Sequence, residues 1–149
     1  MTTSSQGPGR VIEDDAAIGA LLANTSRIAV IGIKTRESMQ PAYYVPEYAQ
    51  RAGYDIVPVP VYYPEATEIL GQQVYRSLAA IPGDVDMVNM FRRPKDLAAH
   101  LDDILAKKPR SVWLQLGIRD DAFAARLTAA GIDVVQDRCL LVELRSHGR

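Results

Sequence analysis

The chain has 149 residues, 48% of them hydrophobic and 23% charged, with a formal net charge of −1. That length suits one domain with its own core, and that charge supplies no global attraction to nucleic acid. A single cysteine and two histidines exclude an intrachain disulfide and a cysteine-rich metal site, and leave little for a histidine-based triad.

No apolar run approaches the ~20 residues needed to span a bilayer. The opening MTTSSQGPGR has no apolar signal-peptide core, so a cytoplasmic protein is expected. Residues 1–10 are small, polar and rich in Gly and Pro, and read as a disordered tail ahead of one domain over 11–144. Val11–Ala23 carries Ile12, Ile18, Leu21 and Leu22, with Asp14 and Asp15 near its start where acids suit a helix dipole, and reads as a short amphipathic helix. Strand one follows at about Arg27–Ile33. Its all-apolar stretch Ile28–Ile31 stops at Gly32, the pattern of a strand buried on both faces of a parallel sheet. A charged loop, Lys34–Gln40, leads to a helix opened by Pro41. Pro46 is awkward inside a helix, which places the start nearer Val45. Gly53 caps that helix, and strand two is Tyr54–Val59.

Pro60–Pro64 is neither helix nor strand, Glu68–Tyr75 reads as a short irregular excursion, and Ser77–Pro82 suggests one helical turn. Strand three is Val85–Met90. Pro94 starts a helix to Lys107 with Leu97, Leu101, Ile104 and Leu105 on one face. Strand four is Ser111–Leu116, Asp120–Ala130 is a helix, and Ile132–Val135 is strand five. The end from Arg145 reads as a frayed tail, 145–149. Strand–helix alternation with five short apolar strands predicts an α/β domain with a parallel, doubly wound sheet. Right-handed crossovers then bring the loops after the strands to one edge.

That edge carries a cationic surplus: Lys34, Arg36, Arg92, Arg93, Arg119 and Arg138 against Glu37, Glu65, Asp120 and Asp137. Cations beside helix N-termini suit a polyphosphate. Each of these charges could equally be a solvated surface group. Arg92-Arg93, between a strand end and Pro94, reads as functional. Tyr62-Tyr63 flanks the same edge and could stack on a nucleobase. The dinucleotide fingerprint needs three glycines, and the segment from Gly32 to Glu37 supplies only the first. Val59-Pro60 stands where an acidic ribose ligand would be expected. NAD is therefore disfavoured, and the P-loop pattern is absent. Cys139 reads as a packed thiol, with mixed-disulfide formation with a bound thiol as the sharper alternative. His100 and His147 take no role, and Trp113 reads as core.

Several blocks in the same order resemble one family: IAVIG at Ile28–Gly32, EILGQQVYRSLAAIP at Glu68–Pro82, VDMVNMFRRP at Val85–Pro94, VWLQLGI at Val112–Ile118 and DVVQDRCLLVE at Asp133–Glu143. They look like the small stand-alone CoA-binding proteins, whose Rossmann-like domain is similar to the CoA-binding domain of the succinyl-CoA synthetase α subunit. The resemblance implies a single Rossmann-like doubly wound domain with a five-stranded, mostly parallel sheet. It implies coenzyme A, or an acyl-CoA, across the strand ends. By position, Gly32, Ile33, Lys34, Thr35, Arg36 and Ser38 would hold phosphate. Val59, Pro60 and Tyr62 follow strand two, where relatives read roughly V-N-P-K. Phe91, Arg92 and Arg93 would line the cleft, and Leu114, Gln115, Leu116 and Gly117 would meet CoA from strand four. The larger synthetase works through a phosphohistidine on a second domain, for which this chain has no room. The expectation is a non-catalytic CoA-binding module acting as sensor, carrier or partner subunit, as a homodimer or with another protein, and without nucleic acid or membrane. Two rivals stand beside it: an enzyme on acyl-CoA thioesters using Cys139 or Glu37, and an NAD- or nucleotide-responsive regulator.

Overall fold

The computed structural model describes residues 7–149. Its main sheet has five strands, β1 (Arg27–Ile31), β2 (Asp55–Val59), β5 (Met87–Met90), β6 (Ser111–Leu114) and β7 (Asp133–Val135), in the order β2-β1-β5-β6-β7. Every neighbouring pair is parallel. The strands are nearly continuous apolar runs because both faces are covered. On one face α1 (Asp15–Ala23), α2 (Pro41–Arg51) and α5 (Leu140–Ser146) bury Ile18, Val45 and Leu144 against Ile28, Val30 and Trp113. On the other, α3 (Leu101–Lys107) and α4 (Asp121–Ala129) bury Ile104 and Leu127 against Val88, Val112 and Val134. No helix among the described residues is long and apolar enough to cross a membrane.

The strand order fixes where a crevice must open. After β1 the chain turns to α2 on one face, and after β5 it turns to the opposite face. Their carboxyl ends therefore diverge at the topological switch point, where open α/β sheets bind ligands.

Several elements differ from the sequence expectation for identifiable reasons. Helix α2 starts at Pro41 and keeps Pro46 inside it. Pro46 has no N–H for the Ala42 carbonyl, and the N–H of Lys34 bonds that carbonyl instead at 3.1 Å. The awkward proline thus ties the loop after β1 to its helix. Between β2 and β5 lies a small hairpin, β3 (Glu68–Ile69) and β4 (Gln72–Gln73), turned through Leu70 and Gly71, both at positive φ. Ser77–Pro82 holds no helix. The expected helix from Pro94 is broken into two 3-10 turns, Pro94–Asp96 and Ala98–His100, before α3 begins.

Gly9 and Arg10, and the segment after Arg145, are tied down where the sequence suggested loose tails. Met1–Gln6 lies outside the described residues. Gly9 N–H bonds Thr128 O, and Arg10 and Ile12 pair with Val134, so residues 9–12 run along the free edge of β7. Helix α5, which sequence reading missed, extends through Ser146, and Arg149 N–H bonds Leu144 O at 2.8 Å.

Candidate functional site

The loop after β1, the turn after β5 and the segment after β6 enclose an open cleft of about 480 Å³ at the switch point. Gly32 makes it possible. Its φ is +86°, and a β-carbon there would lie 2.3 Å from the Phe91 carbonyl oxygen. Backbone meets backbone at the crevice floor because this residue has no side chain.

Lys34, Arg92 and Arg93 face the cleft, together with the N-terminal residues of α2, Pro41 and Ala42. The partners of these cations decide what charge remains. Arg93 is paired with Asp96 at 2.8 Å, and that guanidinium holds the Asp96 carboxyl below the usual carboxylate range. Lys34 Nζ donates to the neutral Gln40 amide at 2.6 Å. Arg92 Nε donates to His100 Nε2 at 3.2 Å. Among the described residues neither Lys34 nor Arg92 makes an ion pair, so both keep their full charge for a ligand.

The Arg92–His100 bond needs an unprotonated His100. Burial pushes the His100 pKa down from 6.5, helped by Arg92, while Asp103 and Asp96 pull the other way. A base with a depressed folded pKa stabilises the fold above its unfolded pKa, and that stability is lost as pH falls through 6.5 toward the folded value. Urea midpoints at about pH 7.5 and about pH 5.5 should therefore fall more for the wild type than for His100→Gln, whose amide oxygen still accepts from Arg92. Equal falls would remove His100 from the acid response.

Apart from Lys34, Arg92 and Arg93 the cleft lining carries no charged side chain. Leu116 (66% exposed) and Tyr44 form an apolar rim. Cys139 borders the cleft from the start of α5. Gly117 N–H bonds Asp137 Oδ1 at 2.6 Å, tying the segments after β6 and β7 together. Gln115 is 4% exposed, and its Oε1 accepts from Asn89 Nδ2 and Leu140 N–H, each at 3.3 Å. Asn89 Nδ2 also reaches Trp113 O at 3.4 Å. Asn89 Oδ1 is buried with no partner among the described residues, a vacancy that costs about 1–3 kcal/mol.

The expected site residues divide accordingly. Gly32, Lys34, Phe91, Arg92, Arg93, Gln115, Leu116 and Gly117 gather at the cleft or its floor. Ile33, Val59, Pro60 and Leu114 turn their side chains into the core, so only their backbone could meet a ligand. Thr35 and Arg36 border a separate hollow with Glu37, Tyr43 and the β3–β4 turn. The Ser38 hydroxyl accepts from Gln40 N–H and shapes the entry to α2. Tyr62 is exposed. Its loop is fixed by Arg76, which donates to the carbonyls of Tyr62, Tyr63 and Ala66. Sequence reading gave His100 no role and passed over Arg76 and Asn89. Only Asn89 left a signal, as an amide inside an apolar strand.

Known proteins with this arrangement are similar over nearly the same span. The family described as CoA binding domain matches residues 26–145. The uncharacterized protein YneT of Bacillus subtilis (strain 168) is 33% identical over 127 residues, covering 85% of this chain and 91% of that protein. The solved structure of cell-free ID.343 from Thermus thermophilus superposes with a TM-score of 0.83 at 39% identity, covering 91% of this chain and 99% of that one. A dinucleotide-forming acetyl-coenzyme A synthetase 1 from Ca. Korarchaeum cryptofilum shares the fold, with a TM-score of 0.65 at 18% identity. There the match covers 76% of this chain and 26% of the larger one.

Proposed function

The chain belongs to the CoA-binding domain family, and from that premise we propose that it is a binding module for coenzyme A or an acyl-CoA without chemistry of its own, serving as sensor, carrier or partner subunit. The observation that carries this reading is the pair of uncompensated cations, Lys34 and Arg92, beside the start of α2 at the switch point. Unpaired cations suit a polyphosphate, and the apolar rim at Tyr44 and Leu116 suits the less polar arm of the same ligand. Among the described residues that line the cleft there is no histidine and no carboxylate, which favours binding over acid–base turnover. Glu37, a candidate in the enzyme reading, borders the separate hollow instead.

Calorimetric titration with CoA, acetyl-CoA, NAD and ATP tests this, repeated for Arg92→Ala. CoA should bind more tightly than NAD or ATP. The substitution should weaken CoA by roughly tenfold to a hundredfold, the range of a hydrogen bond to a charged group. NAD binding tighter than CoA would favour the nucleotide-responsive regulator. A wild-type protein that takes up no CoA would overturn the proposal.

A further inference from the structure

Away from the cleft, three side chains bring ligating atoms to one place. Asp15 opens α1, and Glu143 and His147 stand one turn apart at the end of α5. One carboxylate oxygen from each acid and one imidazole nitrogen all lie within 4.8 Å of one another. His147 N–H bonds Glu143 O at 3.1 Å, which fixes the two residues as an i, i+4 pair on one face of α5. None of the three lines the cleft.

The hydrogen bonds leave these atoms available. Arg138 donates to Glu143 Oε2 at 3.3 Å, so Oε1 is the oxygen turned to His147 Nε2. Those two atoms are 3.9 Å apart, too far for a hydrogen bond. Two ligands of one tetrahedral zinc ion stand about 3.4 Å apart, so a small side-chain rotation would bring both onto a shared ion. The N-cap role in α1 falls to Asp14, whose Oδ2 takes Ala17 N–H. Asp15 makes neither a hydrogen bond nor an ion pair among the described residues, although a second carboxylate lies close by. Like charges so near each other repel unless a cation stands between them. The ring also has a seat. Gly19 lies inside α1, where glycine weakens a helix, and a β-carbon on it would lie 2.9 Å from His147 Nδ1. The missing side chain lets the imidazole lie against α1. We propose that Asp15, Glu143 and His147 bind one divalent transition-metal ion of the zinc class, which pins α1 to α5. An imidazole beside carboxylates suits zinc, whereas magnesium and calcium prefer oxygen alone. Three protein ligands leave a fourth position for water. This site does not depend on the reading of the cleft as a CoA site.

The test uses full-length protein without an affinity tag, freed of metal and titrated calorimetrically with zinc and, separately, magnesium. Wild type should bind one zinc ion per chain, bind magnesium far more weakly, and unfold at a higher temperature with zinc than without. His147→Ala and Asp15→Asn should each weaken zinc by more than roughly tenfold, the least that losing an outer-shell partner of a metal site costs. Asp15 is exposed, so its variant should keep the fold, checked by circular dichroism. Gly19→Ala should also weaken zinc, while its metal-free midpoint stays equal or rises, because alanine is the better helix former and the ring can swing aside. Cobalt in place of zinc should give a visible spectrum without a thiolate charge-transfer band. Wild type that takes up no zinc, or takes up magnesium equally well, overturns the proposal. So does unchanged zinc affinity in any of the three variants. A thiolate band would place the ion at Cys139 and overturn it too.

Discussion

Gly32→Ala is expected to cost about 2–6 kcal/mol of fold stability and to abolish ligand binding in whatever fraction still folds, from backbone strain and overpacking together. The backbone at Gly32 sits at φ +86°, where L side chains are strained, and the new methyl would lie 2.3 Å from Phe91 O and 3.4 Å from Arg92 Cδ. Relief requires β1 and β5 to part at the switch point, and that motion carries Arg92 out of place. Gly117 is the control: its φ is also +86°, yet a β-carbon there meets nothing within 4 Å. Gly117→Ala should pay the strain alone, about 1 kcal/mol. Thermal unfolding of the two variants beside wild type separates strain from collision. Midpoints that fall equally would mean the Phe91 approach is soft.

The same glycine shows what the sequence could and could not reveal. IAVIG reads as a buried strand ending at a glycine because apolar runs and breaker residues are local signals, and the alternation that follows fixes a parallel sheet and its ligand edge. The charged loop after it reads as one phosphate-binding unit, because nothing in Lys34–Ser38 tells which side chains face which way. The structure splits it: Lys34 faces the cleft, and Thr35 and Arg36 border another hollow. Ile33 follows the glycine and returns to the core, as its apolar character would suggest once the loop's direction is known. Helix α5 was illegible for a different reason. Its seven residues are opened by Cys139 without a side-chain cap, and its burial depends on Leu140 and Leu144 meeting α1 and α2 from far along the chain. Pro46 misled because the group that satisfies the Ala42 carbonyl, Lys34 N–H, lies outside the helix. In each case the missing information is a long-range partner, which no window of sequence contains.

Trp113→Ala should be the most damaging single change in the sheet, costing about 3–5 kcal/mol, because it empties the largest fully buried side chain. The indole is more than filler. Its Nε1–H donates to Arg138 O at 2.8 Å and so holds the turn that leads to Cys139 and α5, while its own carbonyl receives the Asn89 amide. Trp113→Phe separates the two roles. It keeps most of the packing and leaves the Arg138 carbonyl without that donor, for about 1–2 kcal/mol. Circular dichroism serves for the unfolding curves, since this is the only tryptophan in the chain and its fluorescence disappears with it. Hydrogen exchange then locates the effect. In Trp113→Phe, residues 138–142 should exchange faster while α3 and α4, on the opposite face, keep wild-type protection. Loosening confined to that turn would free Leu140 N–H, one of the two donors to Gln115 Oε1. Exchange that rises evenly over both faces would reduce Trp113 to core packing and detach the cleft from the far edge of the sheet.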